Sequence, residues 1–294
     1  MNTAFYALHP AVSFLFFAMA LALTMLCMHP VFAVISLAAA LLFASRIGGN
    51  SLKNTLRFAL PLFLLIALLN PVFNHRGDTV LFFVFEQGIT LEAIQYGLCS
   101  GVMFAAVIVW FSCYSAIITS DKFLYLFGRI APSAALVTSM AVRLVPKMRG
   151  QLETIGNAQK MLDAGRKATL MSRIRSGLHT LSVLLNWTME DAIETADSMK
   201  ARGYGMRRGR TSFSLFRMDG RDRAILAFFV ALSLGVWALY FGGYATLYFY
   251  PVMRPIGTDA PSLIGYALYV LLLLTPTLLQ WKENLTWRKL RSTI

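Results

Sequence analysis

Apolar residues in this chain come in long runs that polar residues rarely interrupt. Six such runs stand out, at about 11–28, 31–45, 58–73, 98–119, 224–242 and 263–281. A helix rises 1.5 Å per residue, so about 20 apolar residues cross a hydrocarbon core of about 30 Å. The pattern therefore predicts six membrane-spanning helices, of which 31–45 is the shortest. His29-Pro30 separates the first two, and the third terminates at Asn70-Pro71 in a proline-containing turn capped by Asn and Gly.

Between Ser120 and Arg223 the pattern changes to the three- and four-residue spacing of amphipathic helices. Met148, Leu152, Ile155, Gln159 and Leu162 fall on one face of a helix, with Lys147, Glu153, Asn157 and Lys160 on the others. Pro146 suits its first position, and it is expected to end near Gly165-Arg166. A short basic turn, 166–176, leads to a second helix from Gly177. Its stripe of Leu178, Leu181, Leu185, Met189, Ala192, Ala196 and Met199 runs for roughly seven turns and stops at Lys200-Ala201-Arg202-Gly203-Tyr204-Gly205. Gly203 or Gly205 can take the left-handed conformation that closes a helix, which leaves Lys200 and Arg202 facing the negative end of its dipole. Ahead of both helices, residues 130–145 are apolar but interrupted by Pro132 and Arg143. An interfacial or reentrant helix packed under the spans fits them better than a full crossing.

Composition supports a membrane protein: 57% of residues are hydrophobic, 14% are charged and the mean hydropathy is +0.61, against about 25% charged in soluble domains. Charge then orients the spans. Residues 46–57 carry Arg46, Lys53 and Arg57 with no acid, whereas 74–97 set Arg76 against Asp78, Glu86 and Glu92. The tail, 282–294, carries Lys282, Arg288, Lys289 and Arg291 against Glu283. The positive-inside rule then gives six crossings with both termini cytoplasmic. Residues 120–223 hold 18 of the 27 Lys/Arg and 9 of the 14 Asp/Glu, too long and polar a stretch for a loop. The expected organisation is spans 1–4 at 1–119, a cytoplasmic domain at 120–223, and spans 5–6 with a basic tail at 224–294. The net charge of +13 follows from this flanking pattern, and nucleic acid is not expected as a partner.

Little in the sequence suggests catalysis. The phosphate-binding loop GxxxxGK[ST] is absent, as are HExxH and Gly-x-Ser-x-Gly. Asp219-Gly220-Arg221-Asp222-Arg223-Ala224 looks like the opening of the CDP-alcohol phosphotransferase signature, but the next acid is Asp259, too far away to complete a metal site. Cys27, Cys99 and Cys113 lie in apolar runs without metal-ligand spacing and read as buried hydrophobes. His9, His29, His75 and His179 are scattered. No Lys/Arg-rich segment precedes the first apolar run, so a cleaved signal peptide is not expected. Neither catalytic residues nor a cofactor or metal site is assigned. A pump or ion-coupled carrier needs ionisable groups within its spans, and only Arg143, in the ambiguous segment, qualifies. The membrane part therefore reads as scaffold, with energy entering through the cytoplasmic helices. Taken alone, Arg202 would be a solvated arginine at a helix end. Small neighbours at Ala201 and Gly203 leave it unobstructed, however, and a protruding guanidinium suits bidentate docking on a partner's carboxylates.

In these features the chain resembles the transmembrane (T) component of energy-coupling factor transporters. Asn70-Pro71 with His75-Arg76-Gly77, Ser139-Met140-Ala141-Val142-Arg143 with Pro146, Ala158-Gln159-Lys160, and above all Ala196 to Gly205 with Ala201-Arg202-Gly203, carry the likeness, followed by Arg210-Thr211. The resemblance implies an all-α polytopic protein with two long coupling helices, each ending in an Ala-Arg-Gly whose arginine fits a groove on one of two cytoplasmic ABC-type ATPases, a homo- or heterodimer. It implies a separate membrane substrate-binding (S) component, import of a vitamin or transition-metal ion, and the plasma membrane of a bacterium or archaeon. Arg202 takes the second arginine's role. The first motif departs: Met161-Leu162-Asp163 follows Lys160, and then Ala164-Gly165-Arg166, so Arg166 is favoured over Lys160 as the replacement contact. Readings from other classes are a stand-alone membrane enzyme acting on lipid-linked substrates and a secondary carrier using Arg143.

Overall fold

The computed structural model describes residues 4–74, 76–84, 87–128, 130–162, 169–205, 216–250, 257 and 259–291. It divides the chain into two compact units, one formed by Met1–Thr119 with Phe216–Ile294 and the other by Ser120–Leu215. The architecture is that of an all-α polytopic membrane protein with one small β-hairpin.

The first unit begins with a single turn, α1 (Ala4–Ala7), then α2 (Pro10–Leu26) and α3 (Pro30–Ile47). Both longer helices start with the same device. His9 and His29 are N-caps, each with a proline next to it at the first helical position and with its Nδ1 accepting the N–H of the residue after that proline, Ala11 or Val31, at 3.2 Å. Proline loses nothing there, because the first N–H of a helix has no intrahelical partner.

Next come α4 (Gly49–Phe73), the strands β1 (Val80–Val84) and β2 (Gln87–Thr90), and α5 (Leu91–Ile117). The strands pair antiparallel, Val80 with Thr90 and Val84 with Gln87, with an irregularity between Val80 and Phe82. The unit closes with the apolar helix Gly220–Phe241 and the helix Ala260–Arg291.

Among the described residues, five helical stretches are long and apolar enough to cross a membrane: Pro30–Ile47, Leu52–Phe73, Leu91–Ile117, Gly220–Phe241 and Ala260–Lys282. Pro10–Leu26 is the sixth apolar helix and the shortest at 17 residues, roughly 25 Å at 1.5 Å per residue. The sequence pattern made 31–45 the shortest run instead. Proline at the first helical position and continuation through Arg46 to Ile47 lengthen that helix to 18 residues. Residues 91–97 are also not outer loop. Thr90 caps α5, its Oγ1 accepting the Ala93 N–H at 3.4 Å, so Glu92 lies buried in the first helical turn and accepts a hydrogen bond from Thr79 Oγ1 at 2.6 Å.

The core is aromatic. Phe5, Phe16, Phe17, Phe43, Trp110 and Phe229 are fully buried and meet mostly edge to face, as between Phe5 and Phe16 at 5.3 Å, the arrangement favoured by ring quadrupoles. A polar knot runs through it. Trp110 Nε1 donates to Ser36 Oγ at 3.0 Å, Thr24 Oγ1 lies 2.8 Å from that oxygen, and Tyr269 Oη lies 3.0 Å from Thr24 Oγ1. Four helices thus share one fully partnered hydrogen-bond network, which fixes their register where apolar packing alone tolerates sliding. Cys27, Cys99 and Cys113 are buried, as expected.

Helix α5 packs closely against α4. A methyl group placed on Gly97 would sit 3.1 Å from the Ala67 carbonyl oxygen, and one on Gly101 would sit 3.1 Å from that of Phe63. Gly97 and Gly101 form the small-xxx-small pattern through which membrane helices bring their backbones together.

The second unit holds α6 (Ser120–Gly128), α7 (Pro132–Leu162) and α8 (Leu170–Ala201). The two helices that follow, Gly220–Phe241 and Ala260–Arg291, are α9 and α10. Two expectations are corrected here. Residues 130–145 and the helix expected to start at Pro146 form the single helix α7, with Pro146 inside it. A proline removes one intrahelical hydrogen bond and bends a helix without having to end it. The second helix starts at Leu170 rather than Gly177, because Thr169 caps it, with Oγ1 accepting the Ser172 N–H at 3.4 Å. The basic residues Arg173 and Arg175 are therefore helical.

Candidate coupling helices

The site is built on α7 and α8, 31 and 32 residues long. On α8 the buried residue is Leu184, with Trp187 and Asp191 half-buried on the same side. Lys147 of α7 meets that side: its ammonium pairs with Asp191 and lies 5.3 Å from the centre of the Trp187 ring. One cation thus serves an ion pair and a cation–π contact together, and it joins residues 44 positions apart in sequence.

From Asp191 α8 continues to Ala201, about 15 Å at 1.5 Å per residue. Its end is closed by paired hydrogen bonds, Gly203 N–H to the Lys200 carbonyl at 2.9 Å and Tyr204 N–H to the Met199 carbonyl at 3.0 Å. These are the two bonds of a Schellman closure, which needs a left-handed residue after the cap. Gly203 supplies it at φ 77°. Arg202 is therefore the helix cap itself, at φ −81° and ψ 6°. It is exposed and forms no ion pair among the described residues, while Lys200 reaches back to Asp197 at 3.5 Å. The orphan carbonyls of the last turn carry partial negative charge, which favours a cation at this position.

The structure thus brings Ala201, Arg202 and Gly203 together as one exposed tip. Lys160 lies exposed in the last turn of α7. Arg166 lies outside the described residues, as does His75. Most of the stripe identified on α8 is uncovered: Leu178 is 63% exposed and Met189 67%, with Leu181, Leu185, Ala192 and Ala196 also exposed, while Met199 is half-buried. The sequence reading missed the clamp. Its signal was a tryptophan with an aspartate four residues later, in a helix otherwise poor in aromatics.

Fold and site together define a multi-pass helical membrane protein with a pair of long amphipathic helices, one ending in an exposed guanidinium. The family model for CbiQ, the cobalt transport protein, matches residues 4–213. The chain is 30% identical over 185 residues to the energy-coupling factor transporter transmembrane protein EcfT of Listeria innocua, an alignment covering 58% of this chain and 68% of that protein. To the EcfT of Lactobacillus helveticus it is 32% identical over 99 residues, 33% of this chain and 36% of the relative. The chain belongs to the CbiQ cobalt transport protein family, whose members include membrane components of energy-coupling factor transporters.

Proposed function

We propose that this chain is the energy-coupling scaffold of an importer. Two ABC-type ATPases on the cytoplasmic side, a homo- or heterodimer, hold the helix pair, one at the Ala201-Arg202-Gly203 tip and the other at the end of α7 through Arg166 or Lys160. ATP-driven closure moves the tips, and α7 and α8 carry that motion to a membrane-embedded S component that binds a vitamin or a transition-metal ion. Both termini lie in the cytoplasm of a bacterial or archaeal cell, on the side of the basic segments 46–57 and 282–294. The chain performs no chemistry of its own in this reading.

The observation that carries the reading is Arg202: an exposed residue at the cap of a 32-residue helix, in a chain of this family. A carboxylate groove on a partner would bind it bidentately. The uncovered stripe of α8 supports the same reading, since exposed apolar surface of this extent marks a place where another protein binds.

The test is Arg202→Glu in the assembled transporter. Removing one partner of a desolvated charge pair costs about 2–5 kcal/mol, so charge reversal should weaken ATPase retention by roughly thirtyfold or more. Uptake should be lost with it, while the level of the chain in the membrane stays unchanged. Wild-type uptake by Arg202→Glu would refute the role. Arg166→Glu is expected to impair uptake only in part.

A further inference from the structure

Where α3 and α10 pack together, their outer surfaces leave a groove of about 190 Å³ lined by Leu42, Arg46, Thr277, Leu278 and Trp281. Its layering is the informative feature. The apolar stretches of the two helices end at Ile47 and Lys282, so Arg46 and Trp281 each stand one residue from the end of a span. Leu42 lies one turn deeper on α3, and Thr277 and Leu278 one turn deeper on α10. The groove therefore presents a guanidinium and an indole at the headgroup level, with leucine surface below them. Leu42, Leu278 and Trp281 are each more than half exposed. Arg46 is also exposed and has no ion-pair partner among the described residues. No acid lies between it and Arg57, a stretch that also carries Lys53.

We infer that this groove binds one anionic glycerophospholipid. The phosphate would take the Arg46 guanidinium as a forked donor, the indole of Trp281 would lie at the interface where such rings concentrate, and an acyl chain would run along Leu42 and Leu278. A zwitterionic lipid could use the leucines equally well, but it offers no net negative charge to a basic, acid-free helix end. Charge thus selects among lipids here, and the apolar floor selects a lipid over a free phosphate.

The experiment is native mass spectrometry of the full-length chain in mild detergent with phosphatidylglycerol, phosphatidylcholine or glycerol 3-phosphate added at equal concentration. Phosphatidylglycerol should be retained preferentially, and Arg46→Gln should reduce that retention about fivefold, to the phosphatidylcholine level. Arg46→Lys should keep part of the preference, and Arg57→Gln, on a basic residue outside the groove, should keep all of it. Equal retention of both lipids by the wild type would overturn the assignment. An equal loss in Arg57→Gln would also overturn it, since general surface charge would then account for the preference. Retention of glycerol 3-phosphate as strong as that of the lipid would make this a free-phosphate site. A dimer that depends on Leu42 and Leu278, without bound lipid, would give the groove to a second copy of the chain.

Discussion

The ammonium of Lys147 lies 5.3 Å from the centre of the Trp187 ring, and Lys147 directly follows Pro146, the proline inside α7. A proline inside a helix deletes a hydrogen bond and creates a flexible point, and here the adjacent residue is tied to the neighbouring helix. The carboxylate of Asp191, one turn beyond Trp187, completes the tie and is 18% exposed. If α7 and α8 transmit motion, this is where they are held in register.

Lys147→Met keeps most of the stem and removes the charge. The helix pair should lose roughly 1 kcal/mol, the usual scale of an exposed cation–π contact with a partly exposed ion pair. Lys147→Arg should preserve both contacts. Hydrogen exchange across residues 184–195 is the measurement: faster exchange in Lys147→Met and wild-type exchange in Lys147→Arg. Uptake per ATP hydrolysed should fall in the first variant only. Unchanged exchange in Lys147→Met would show that the clamp holds nothing.

Gly203 closes α8 at φ 77°. A side chain in that conformation costs about 1–2 kcal/mol, whereas asparagine tolerates it better than alanine. Gly203→Ala should therefore fray the last turn and displace the Arg202 cap, lowering uptake without touching the arginine. Gly203→Asn should retain most of it. The order of the two variants carries the argument, because both enlarge residue 203.

The α4–α5 contact allows a contrast between two glycines. A methyl group on Gly101 meets the Phe63 carbonyl oxygen at 3.1 Å, which cannot move without its helix, and one on Gly235 of α9 meets only the Leu268 Cδ1 at 3.2 Å. Overpacking against backbone typically costs about 1–3 kcal/mol. Exchanging glycine for alanine inside a helix gains about 1 kcal/mol in propensity. Gly101→Ala should thus lower the thermal unfolding midpoint in detergent, while Gly235→Ala should leave it unchanged or raise it. Equal shifts in the same direction would mean that backbone proximity is not what matters at residue 101.

What could be read from the sequence follows from which interactions are local. The spans were legible because burial in lipid needs only a long apolar run, and α8 showed where it ends because Lys-Ala-Arg-Gly puts a left-handed residue directly after the stripe. Pro146 misled because proline at the start of a helix and proline inside one look alike without the residues packed around them. Leu170 was missed because the basic residues following Thr169 looked like a turn, although Thr169 is itself a capping residue. The start of α5 at Leu91 depends on a β-hairpin that delivers Thr90 as a cap, and the clamp depends on Lys147 and Asp191 meeting from 44 residues apart. No periodicity encodes either. The contact of Gly97 and Gly101 with the α4 backbone likewise emerges only from the packed helices.

The caps of α2 and α3 give a prediction in pH. His29 Nδ1 accepts the Val31 N–H, so the ring proton sits on Nε2, 3.2 Å from Tyr266 Oη, and that hydroxyl in turn lies 3.4 Å from the Gly257 carbonyl oxygen that accepts from it. A second proton would have to go on Nδ1, the atom that caps the helix. Burial also holds the His29 pKa below its ordinary value of 6.5. The unfolded chain therefore takes up a proton near pH 6.5 that the folded chain does not, and the sign is fixed: stability is full above that pH and declines as the pH falls below it. The slope is at most about 1.4 kcal/mol per pH unit for one proton. His9 is also lowered by burial, but Asp222 opposes the shift, so His29 should dominate. His29→Asn keeps a good N-cap and cannot titrate. Unfolding midpoints at pH 7.5, 6.5 and 5.5 should fall steadily for the wild type and markedly less for His29→Asn, and parallel curves would place the acid sensitivity elsewhere.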